Sequence, residues 1–435
     1  MRRPLILAAI TLGVGAAVIA IPPAPAAVSA DDIPSIQEAH FEVIDRIGNW
    51  DALAPVSRLG AIEGDPVAGT IEVGWAGDVP SEIQAIARDA AAQGIDVTFV
   101  PQEASEAELL EVAYDMAAAM PTDGAFAIGI GRDALSVEVP TEAAAEAADV
   151  APLALEGEVL TVIDQAEAAA ESLGATVSVE QTDTVPANAA AMPFELGTPI
   201  DPAAAIPVGT ARTNDVSVLS GGMKVQTQFR SGAFVSCTSG FTGFYAHRPI
   251  IITAAHCSDY ADDRLVRNAA GNDIGRSDLV AELNDGELPF DLGIIAASYE
   301  TRTLPRIYTG DTSTVNITGS QTTWPPSGYQ LCSSGQVTGW KCDLTAGAAY
   351  VTCYGKECMN VQLVRSSGTR AFCLGDSGGP IVSRPTADGA RAVGVVSGIR
   401  GTGGTCAVEG MMAPISQLGT VVTGLQVHRV PPPSS

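Results

Sequence analysis

All eight cysteines of this 435-residue chain lie in its second half, between Cys237 and Cys406. The first 200 residues hold 32 acidic and 6 basic side chains, a net charge of −26, whereas residues 201–435 hold 18 acidic and 17 basic side chains, a net of −1. So unequal a distribution predicts two folding units with separate roles. It also excludes a nucleic-acid binder, which needs clustered Lys and Arg side chains.

The N-terminus has the composition of an export signal. Arg2 and Arg3 give a positive start, Leu5 to Ile21 is apolar, and Val28-Ser29-Ala30 offers a cleavage site. We expect residues 1–30 to be a secretory signal peptide, which predicts a secreted, extracellular protein with no membrane association once the signal is removed. A single membrane anchor is the alternative. The acidic Asp31-Asp32 that follows favours the signal peptide, because stop-transfer segments are basic.

Residues 31–180 alternate between helical and strand-like patterns. Apolar residues recur three or four positions apart in Ser81–Ala92 and in Ala104–Met120, which predicts two helices. Ala125–Ile130 and Leu135–Val139 are typical of a hairpin. The segment is long enough to support its own core, so we expect a small acidic α+β domain.

A segment rich in proline and alanine separates the two units. Residues 181–215 contain five prolines and show no periodicity, so they are predicted to be an exposed linker. In residues 216–430, short strands such as Lys224–Arg230 alternate with Gly, Ser and Asn turns, which indicates an antiparallel sandwich or barrel. Residues 431–435, three prolines and two serines, are predicted to be a loose tail.

Two short segments of the second unit carry the residues of nucleophilic catalysis. In Gly375-Asp-Ser-Gly-Gly-Pro380, the glycines leave room for a carbonyl oxygen to approach backbone N–H groups and allow a tight turn that presents Ser377. A serine hydroxyl needs an adjacent base. His256 follows a run of buried strand character and has small neighbours, so its ring can project into a cleft.

Thr253-Ala-Ala-His-Cys257 and Gly375–Pro380 resemble the histidine and serine motifs of the chymotrypsin-like serine endopeptidases, in particular their bacterial streptogrisin and alpha-lytic branch. The resemblance covers about residues 215–428. It implies an all-β fold, a double antiparallel β-barrel, with His256 as general base, Ser377 as nucleophile, and the N–H groups of Gly375 and Ser377 as oxyanion hole. Asp291, which stands before a hydrophobic strand as the family's aspartate does, would orient His256.

The same resemblance implies four disulfides: Cys237–Cys257, Cys332–Cys342, Cys353–Cys358 and Cys373–Cys406. Eight cysteines allow 105 pairings, so this set rests on the resemblance alone. The sequence contains no Cys-x-x-Cys pair and no His-Glu-x-x-His segment, and we therefore expect no metal and no other cofactor.

The same resemblance implies that the substrate pocket is lined by Ala371, Phe372 and the strand Ser397-Gly398-Ile399. Ala371 stands where the trypsin-like members carry an acidic residue, so a preference for Lys or Arg at P1 is not expected. Phe372 and Ile399 are bulky and would narrow the pocket, which predicts small or medium apolar P1 side chains. The expected partner is a protein or peptide substrate, and the enzyme is expected to be a monomer.

The order of the segments resembles that of bacterial members made as signal peptide, propeptide and protease. Residues 31–180 would then assist folding and inhibit the protease before their removal, between Ala205 and Gly221. The slow folding of barrels with non-local contacts gives a physical reason for such an aid. An attached binding domain is the alternative. In the digestive branch of the family, a newly freed N-terminal amine pairs with the aspartate that precedes the serine. No Arg or Lys directly precedes Val218-Leu-Ser-Gly-Gly222, so this activation is not expected for Asp376. Its expected partner is instead an arginine, which the sequence does not identify.

Two other functions stay open. One is an inactive exported binding protein with the same fold, although such proteins usually lack one of the three catalytic residues and none is missing here. The other is an esterase or lipase, because Gly375-x-Ser377-x-Gly379 is followed by Asp388 and His428 in the required order. That fold needs a helix after the serine, whereas Pro380 and a β-patterned stretch follow.

Overall fold

The structure is a computed structural model that describes residues 29, 32–121, 124–147, 153–188, 212, 218–229, 231–279, 290–298, 302–354, 357–368, 370–401, 405–421 and 425–430. The predicted signal peptide and the tail at residues 431–435 lie outside these residues, apart from Ser29. No helix within the described ranges is long and apolar enough to cross a lipid bilayer.

The described part of the N-terminal half contains helices and strands in alternation. They are α1 Ile33–Asp51, β1 Leu59–Asp65, β2 Thr70–Ala76, α2 Ser81–Ala91, β3 Asp96–Gln102, α3 Glu106–Ala119, β4 Phe126–Gly131, β5 Ala134–Pro140, α4 Glu142–Ala147, α5 Glu158–Ser172, β6 Thr176–Thr182 and β7 Val185–Asn188.

The described part of the second half is formed by strands, with one 3₁₀ turn, Ala255–Ser258, and one short helix, α6 Ser416–Val421. The strands are β8 Val218–Gly221, β9 Lys224–Gln228, β10 Phe234–Thr238, β11 Phe241–Tyr245, β12 Arg248–Thr253, β13 Leu265–Asn268, β14 Asp273–Asp278, β15 Gly293–Ala297, β16 Arg302–Tyr308, β17 Thr314–Ser320, β18 Gln330–Gly335, β19 Gly339–Tyr354, β20 Glu357–Ser366, β21 Phe372–Cys373, β22 Pro380–Ser383, β23 Ala390–Gly401, β24 Cys406–Ala407, β25 Glu409–Pro414 and β26 Gln426–Val427.

The N-terminal half contains two small sheets, each with helices packed against it. One sheet has the order β1-β2-β3, with β2 and β3 parallel and joined by α2. The other has the order β6-β5-β4, where β4 and β5 form the predicted hairpin. Both helices predicted from apolar spacing are present, as α2 and α3. The start of α3 is set by a capping box, in which Ser105 and Glu108 satisfy each other's backbone N–H groups.

The second half is a double antiparallel barrel, as predicted. The first sheet has the order β10-β9-β13-β14-β15-β12-β11-β26. In the second, β18, β19, β20, β25, β23 and β22 pair in turn, and β22 pairs again with β18, so that the ring closes. Each barrel surrounds its own apolar core, with Ile251 and Val266 buried in the first and Ile381 and Val393 buried in the second.

The two halves share β-sheet hydrogen bonding. Strand β4 pairs antiparallel with β19 of the second barrel, and β7 pairs antiparallel with β23. The exposed linker predicted for residues 181–215 is therefore wrong at its start, because residues 181–182 belong to β6 and residues 185–188 to β7. A local pattern rich in proline does not reveal a strand such as β7, whose partner β23 lies more than 200 residues further along the chain.

Helix α1 packs its apolar side on the second barrel. Phe41 stacks edge-on against Tyr329 with ring centres 5.1 Å apart, and both side chains are fully buried. Around this contact, Arg391 donates to Glu38 and to Asp45, each at 2.6 Å. The acidic N-terminal half thus meets cationic groups of a barrel whose own net charge is close to zero.

Candidate active site

His256 and Asp291 form a buried pair in the first barrel. The 3₁₀ turn after β12 carries His256, and Asp291 stands just before β15, which pairs with β12. Nδ1 of His256 lies 2.7 Å from Oδ2 of Asp291, and the backbone N–H of His256 donates to Oδ1 at 2.9 Å. Both side chains are fully shielded from solvent. These two contacts hold the imidazole ring in one orientation, with Nε2 on its opposite side.

Asp291 accepts a further hydrogen bond, from Ser397 of β23. The Ser397 hydroxyl donates to Oδ2 of Asp291 at 2.7 Å across the junction between the barrels. Burial on its own raises the pKa of Asp291, but the charge of His256 and the hydrogen bonds from His256 and Ser397 outweigh it and hold the pKa below its usual range. Asp291 therefore stays ionised when the protein is folded.

Ser377 lies in the turn between β21 and β22, against the segment that precedes His256. Its carbonyl oxygen accepts a hydrogen bond from the Thr238 N–H at 2.8 Å, and Sγ of Cys257 lies 3.8 Å from the same oxygen. Gly378 has a φ of +79°, and a Cβ there would lie 2.0 Å from Oγ1 of Thr253. Only glycine permits this close approach, so the Gly378 position brings the serine turn beside the histidine turn.

Nε2 of His256 is buried and has no hydrogen-bond partner among the described residues. Ser377 is itself 2% exposed, and no hydrogen bond joins its hydroxyl to His256 in the described part of the chain. Hydrogen bonds between nucleophile and base are often long in unliganded enzymes and shorten when substrate binds. Nε2 of His256 is therefore available to accept a proton, and the turn that carries Ser377 lies beside the turn that carries His256.

The peptide plane before Asp376 is fixed from two sides. The Gly375 carbonyl accepts hydrogen bonds from the Thr238 hydroxyl at 2.8 Å and from Nε2 of Gln336 at 2.9 Å. Gly375 has a φ of +98°. Within the described ranges, the N–H groups of Gly375 and Ser377 donate to no acceptor. The peptide plane of the Ser377 N–H is fixed by its carbonyl, that of Asp376, which accepts the Gly379 N–H at 2.8 Å. Two unused N–H donors are suited to stabilise a developing oxyanion.

Asp376 is buried beneath this turn. Its carboxylate accepts hydrogen bonds from the N–H groups of Val337 at 2.8 Å and Cys373 at 2.9 Å. Burial raises its pKa, and these hydrogen bonds oppose the increase.

Arg212 supplies positive charge next to Asp376. Its Nε donates to the Gly222 carbonyl at 2.6 Å, and its guanidinium donates to the Ser334 hydroxyl and the Gly335 carbonyl. Gly335 packs directly on the Asp376 carboxylate. Burial lowers the pKa of Arg212, and the charges of Asp376 and Asp311 oppose that decrease. The sequence did not identify Arg212 as the arginine near Asp376, because residues 181–215 are predicted to be an exposed linker. The Arg212 side chain is instead buried, with 8% exposure.

Three of the four predicted disulfides are present: Cys237–Cys257, Cys332–Cys342 and Cys373–Cys406. Cys358 is also disulfide-bonded, and its backbone faces that of Cys353 across β19 and β20. The side chain of Cys353 lies outside the described residues, so this fourth pairing stays a prediction.

One group of possible metal ligands occurs among the described residues: Cys237, His256 and Cys257. Its two sulfur atoms are joined in a disulfide and offer no thiolate. The remaining histidine is already bonded to Asp291, and this donor set does not fit a metal ion.

The residues predicted to line the pocket lie together at the junction of β21 and β23. Ala371, Phe372 and Ile399 are all buried, and the Phe372 ring packs against Gly410 of β25. The Ser397 hydroxyl points instead to Asp291, a role that the strand pattern did not reveal. Strand β7 lies along this edge, with Asn188 opposite Gly398 and Ala187 opposite Ile399.

Residues 216–422 match the family model described as Trypsin. Solved structures similar to part of the chain include Thermobifida fusca protease A (24% identity, TM-score 0.37), Cellulomonas bogoriensis chymotrypsin (22% identity, TM-score 0.37) and the alpha-lytic protease homolog N4 (21% identity, TM-score 0.38). Each match covers 49% of this chain and 100% of the other. No curated protein is significantly similar to the chain in sequence. Residues 216–422 thus belong to the trypsin family, and the chain contains a serine endopeptidase domain of that family.

Proposed function

We propose that this chain is the precursor of a secreted serine endopeptidase that cleaves peptide bonds through Ser377, His256 and Asp291. The main support is the buried 2.7 Å contact between His256 Nδ1 and Asp291, which leaves Nε2 without a hydrogen-bond partner among the described residues. His256 takes the proton from the Ser377 hydroxyl as the oxygen attacks the substrate carbonyl carbon. It then gives that proton to the leaving amine, while Asp291 stabilises the imidazolium.

The oxyanion of the tetrahedral intermediate is stabilised by the N–H groups of Gly375 and Ser377. Their support is that neither N–H donates to another acceptor in the described part of the chain, and that the Asp376 carbonyl, in the same peptide plane as the Ser377 N–H, accepts the Gly379 N–H at 2.8 Å. The acyl-enzyme forms when the amine leaves. A water molecule, activated in turn by His256, then releases the acid product.

Small or medium apolar side chains are the proposed P1 residues. Ala371 brings no charge to the pocket, and the buried Phe372 and Ile399 are apolar and bulky. Peptides that differ only at P1 test this preference. We expect Ala and Val to be cleaved faster than Lys and Arg, whereas faster cleavage after Lys would contradict the assignment.

Residues 31–180 are proposed to act as folding aid and inhibitor. Their support is the pairing of β4 with β19 of the second barrel. Strand β7, which lies shortly after residue 180, occupies the edge of β23 beside Ser397. A peptide in the place of β7 excludes substrate from that edge. Expression without residues 31–180 is expected to give no active protease, whereas active protein made without them would contradict the folding role.

Maturation is proposed to occur before Arg212. The guanidinium lies against Gly335 and Ser334 of the second barrel, next to Asp376, and a cut after Arg212 would separate it from the enzyme. This restricts the region predicted from sequence, Ala205 to Gly221, to its first part. Mass spectrometry identifies the first residue of the processed protein. A first residue at or before Arg212 supports this proposal, and a later one contradicts it.

The full-length chain and its Ser377→Ala variant, both expressed with the native N-terminus, test the function. We expect the parent protein to appear in the medium, to be processed, and to hydrolyse casein without hydrolysing lipid esters, and the variant to do none of the processing or hydrolysis. Turnover of lipid esters alone would favour the esterase. A parent chain that stays intact and inert would favour the binding protein. Strand β22, which directly follows the serine turn, already argues against the esterase, because that fold needs a helix there.

A further inference from the structure

The carboxylate of Glu138, on β5 of the N-terminal half, is bound by two side chains of the second barrel. The Arg400 guanidinium pairs with Oε2 of Glu138, and the Tyr350 hydroxyl donates to Oε1 at 2.8 Å. The Arg400 side chain is 8% exposed and that of Glu138 is 13% exposed. Solvent and salt therefore screen this pair weakly.

Tyr350 stays a hydrogen-bond donor over the whole neutral range. Burial first, and then the charge of Glu138, raise the pKa of Tyr350 to about 12. The Arg400 guanidinium also lies 5.5 Å from the centre of the Tyr350 ring, a cation–π distance. Together the two side chains form a small pocket whose donors suit a single carboxylate.

The charges around this pocket balance only while the N-terminal half is bound. Arg365 donates to Oε1 of Glu409 at 2.6 Å, and Nε of Arg400 lies 3.7 Å from Oε2 of the same Glu409. Two arginines thus face Glu409 and Glu138. When residues 31–180 leave, Glu138 leaves with them, and Arg400 keeps only Glu409, which it shares with Arg365. The two arginines then carry one more charge than Glu409 balances, which favours a second carboxylate in the place of Glu138.

Strand β7 shows how an extended peptide lies beside this pocket. Its register with β23 places Ala187 opposite Ile399 and Pro186 opposite Arg400. Nε of Arg400 donates to the hydroxyl of Thr184, just before β7, at 3.0 Å. The β23 strand continues toward the nucleophile, since the Val396 carbonyl accepts the Gly378 N–H at 2.7 Å.

A substrate in the register of β7 has P1 opposite Ser397, P3 opposite Ile399 and P4 opposite Arg400. Directly opposed residues of an antiparallel pair project to the same face of the sheet, and so do alternate residues along one strand. The P4 and P6 side chains therefore share the face of Arg400, and the P5 side chain lies on the other. We propose that Arg400 and Tyr350 form a subsite that selects peptide substrates with an acidic residue at P4 or P6. The proposal rests on the proposed function and deepens it.

The test uses the processed wild-type enzyme and fluorogenic peptides with one common P3–P1 segment. Glu, Gln or Lys is placed at P4, P5 or P6, one position at a time. We expect kcat/KM to be about tenfold higher for Glu than for Gln at P4 or P6, the size expected for one well-placed charge pair, with no difference at P5. Lys at the same two positions is expected to be the slowest of the three.

Variants of Arg400 separate charge recognition from other effects. Arg400→Gln is expected to abolish the preference for Glu while the Gln peptides are still cleaved, which shows that the variant is folded. Arg400→Glu is expected to reverse the preference toward Lys. Arg276→Gln removes an arginine that is 57% exposed on the first barrel, and is expected to keep the preference for Glu.

Equal kcat/KM for Glu, Gln and Lys at all three positions, from an enzyme that cleaves the neutral peptides, would overturn the subsite and leave the proposed function intact. Glu138 would then serve only to hold the N-terminal half. An enzyme that cleaves none of the peptides would overturn both, because the subsite has no substrate without the protease.

Discussion

The Ser397 hydroxyl donates a hydrogen bond of 2.7 Å to Oδ2 of Asp291. The same carboxylate oxygen lies 2.7 Å from Nδ1 of His256, so a residue of the second barrel helps to orient a pair held by the first. The sequence pattern assigned Ser397 to the wall of the substrate pocket. The structure gives its hydroxyl a different task, which is to keep the Asp291 carboxylate ionised and in place.

Ser397→Ala removes that hydrogen bond and is expected to lower kcat by about tenfold, because a hydrogen bond to a charged group is lost in the transition state. KM for a short peptide should change less than kcat, since no substrate contact of the hydroxyl is removed. Steady-state kinetics measure both constants. Ser333→Ala, at another buried serine on β18, is the matched control. Equal loss of kcat in both variants would point to a general packing defect.

Asp291→Asn keeps the shape of the side chain but places an uncharged amide beside His256. The imidazole then loses the acceptor that fixes its tautomer and the charge that stabilises its protonated form. We expect kcat to fall by roughly three to four orders of magnitude, as the role of such an aspartate predicts. Far-ultraviolet circular dichroism and the thermal midpoint check that the variant is folded. A folded variant with nearly full activity would remove Asp291 from the triad.

His40 should make the stability of the precursor depend on pH. It is fully buried in α1, with Nδ1 2.7 Å from the Tyr329 hydroxyl, and burial lowers its pKa to about 4 against an opposing effect of Asp65. An unfolded chain binds a proton at His40 near pH 6.5, and the folded chain does so only near pH 4. The free energy of unfolding is therefore greatest above pH 6.5 and falls as the pH decreases toward about 4, by up to about 3 kcal/mol.

Urea unfolding of the Ser377→Ala precursor at several pH values measures this effect without self-cleavage. Carboxylates also titrate below pH 5, so the informative quantity is the difference between the Ser377→Ala precursor and the same protein carrying His40→Gln. We expect the His40→Gln protein to lose less stability between pH 6.5 and pH 4. His247→Gln, in a turn of the first barrel, should behave like the parent. The same slope in all three would rule out His40 as the source.

Arg212→Met tests the charge beside Asp376. The substitution keeps an apolar stem but leaves a buried carboxylate without its nearby cation, and we expect kcat/KM to fall by about tenfold or more. Methylguanidinium added to the assay should restore part of the loss, a result that a purely structural defect would not give. Arg267→Met removes a more exposed arginine of the first barrel as control. Full activity of Arg212→Met would show that Asp376 needs no such partner.

Local patterns predicted the elements that depend on local forces. The apolar spacing of α2 and α3 and the β4–β5 hairpin follow from helix and strand periodicity, and the structure has all three. The order of the histidine and serine motifs was enough to predict the double barrel. The pairings of β4 with β19 and β7 with β23 were missed, because strand pairing across long separations leaves no trace in either segment alone. Arg212 was missed for the same reason, since two of its three hydrogen-bond partners, Ser334 and Gly335, lie more than 100 residues away.

Catalysis by Ser377 with His256 as its base is tested most directly by a fluorophosphonate, which reacts with a serine only when a neighbouring base activates it. Peptide mapping by mass spectrometry locates the label in the processed enzyme and in its folded His256→Ala variant. We expect one phosphonyl group for each protein molecule, on Ser377, and no label in the variant. A label on another residue, or the same extent of labelling after His256→Ala, would contradict it.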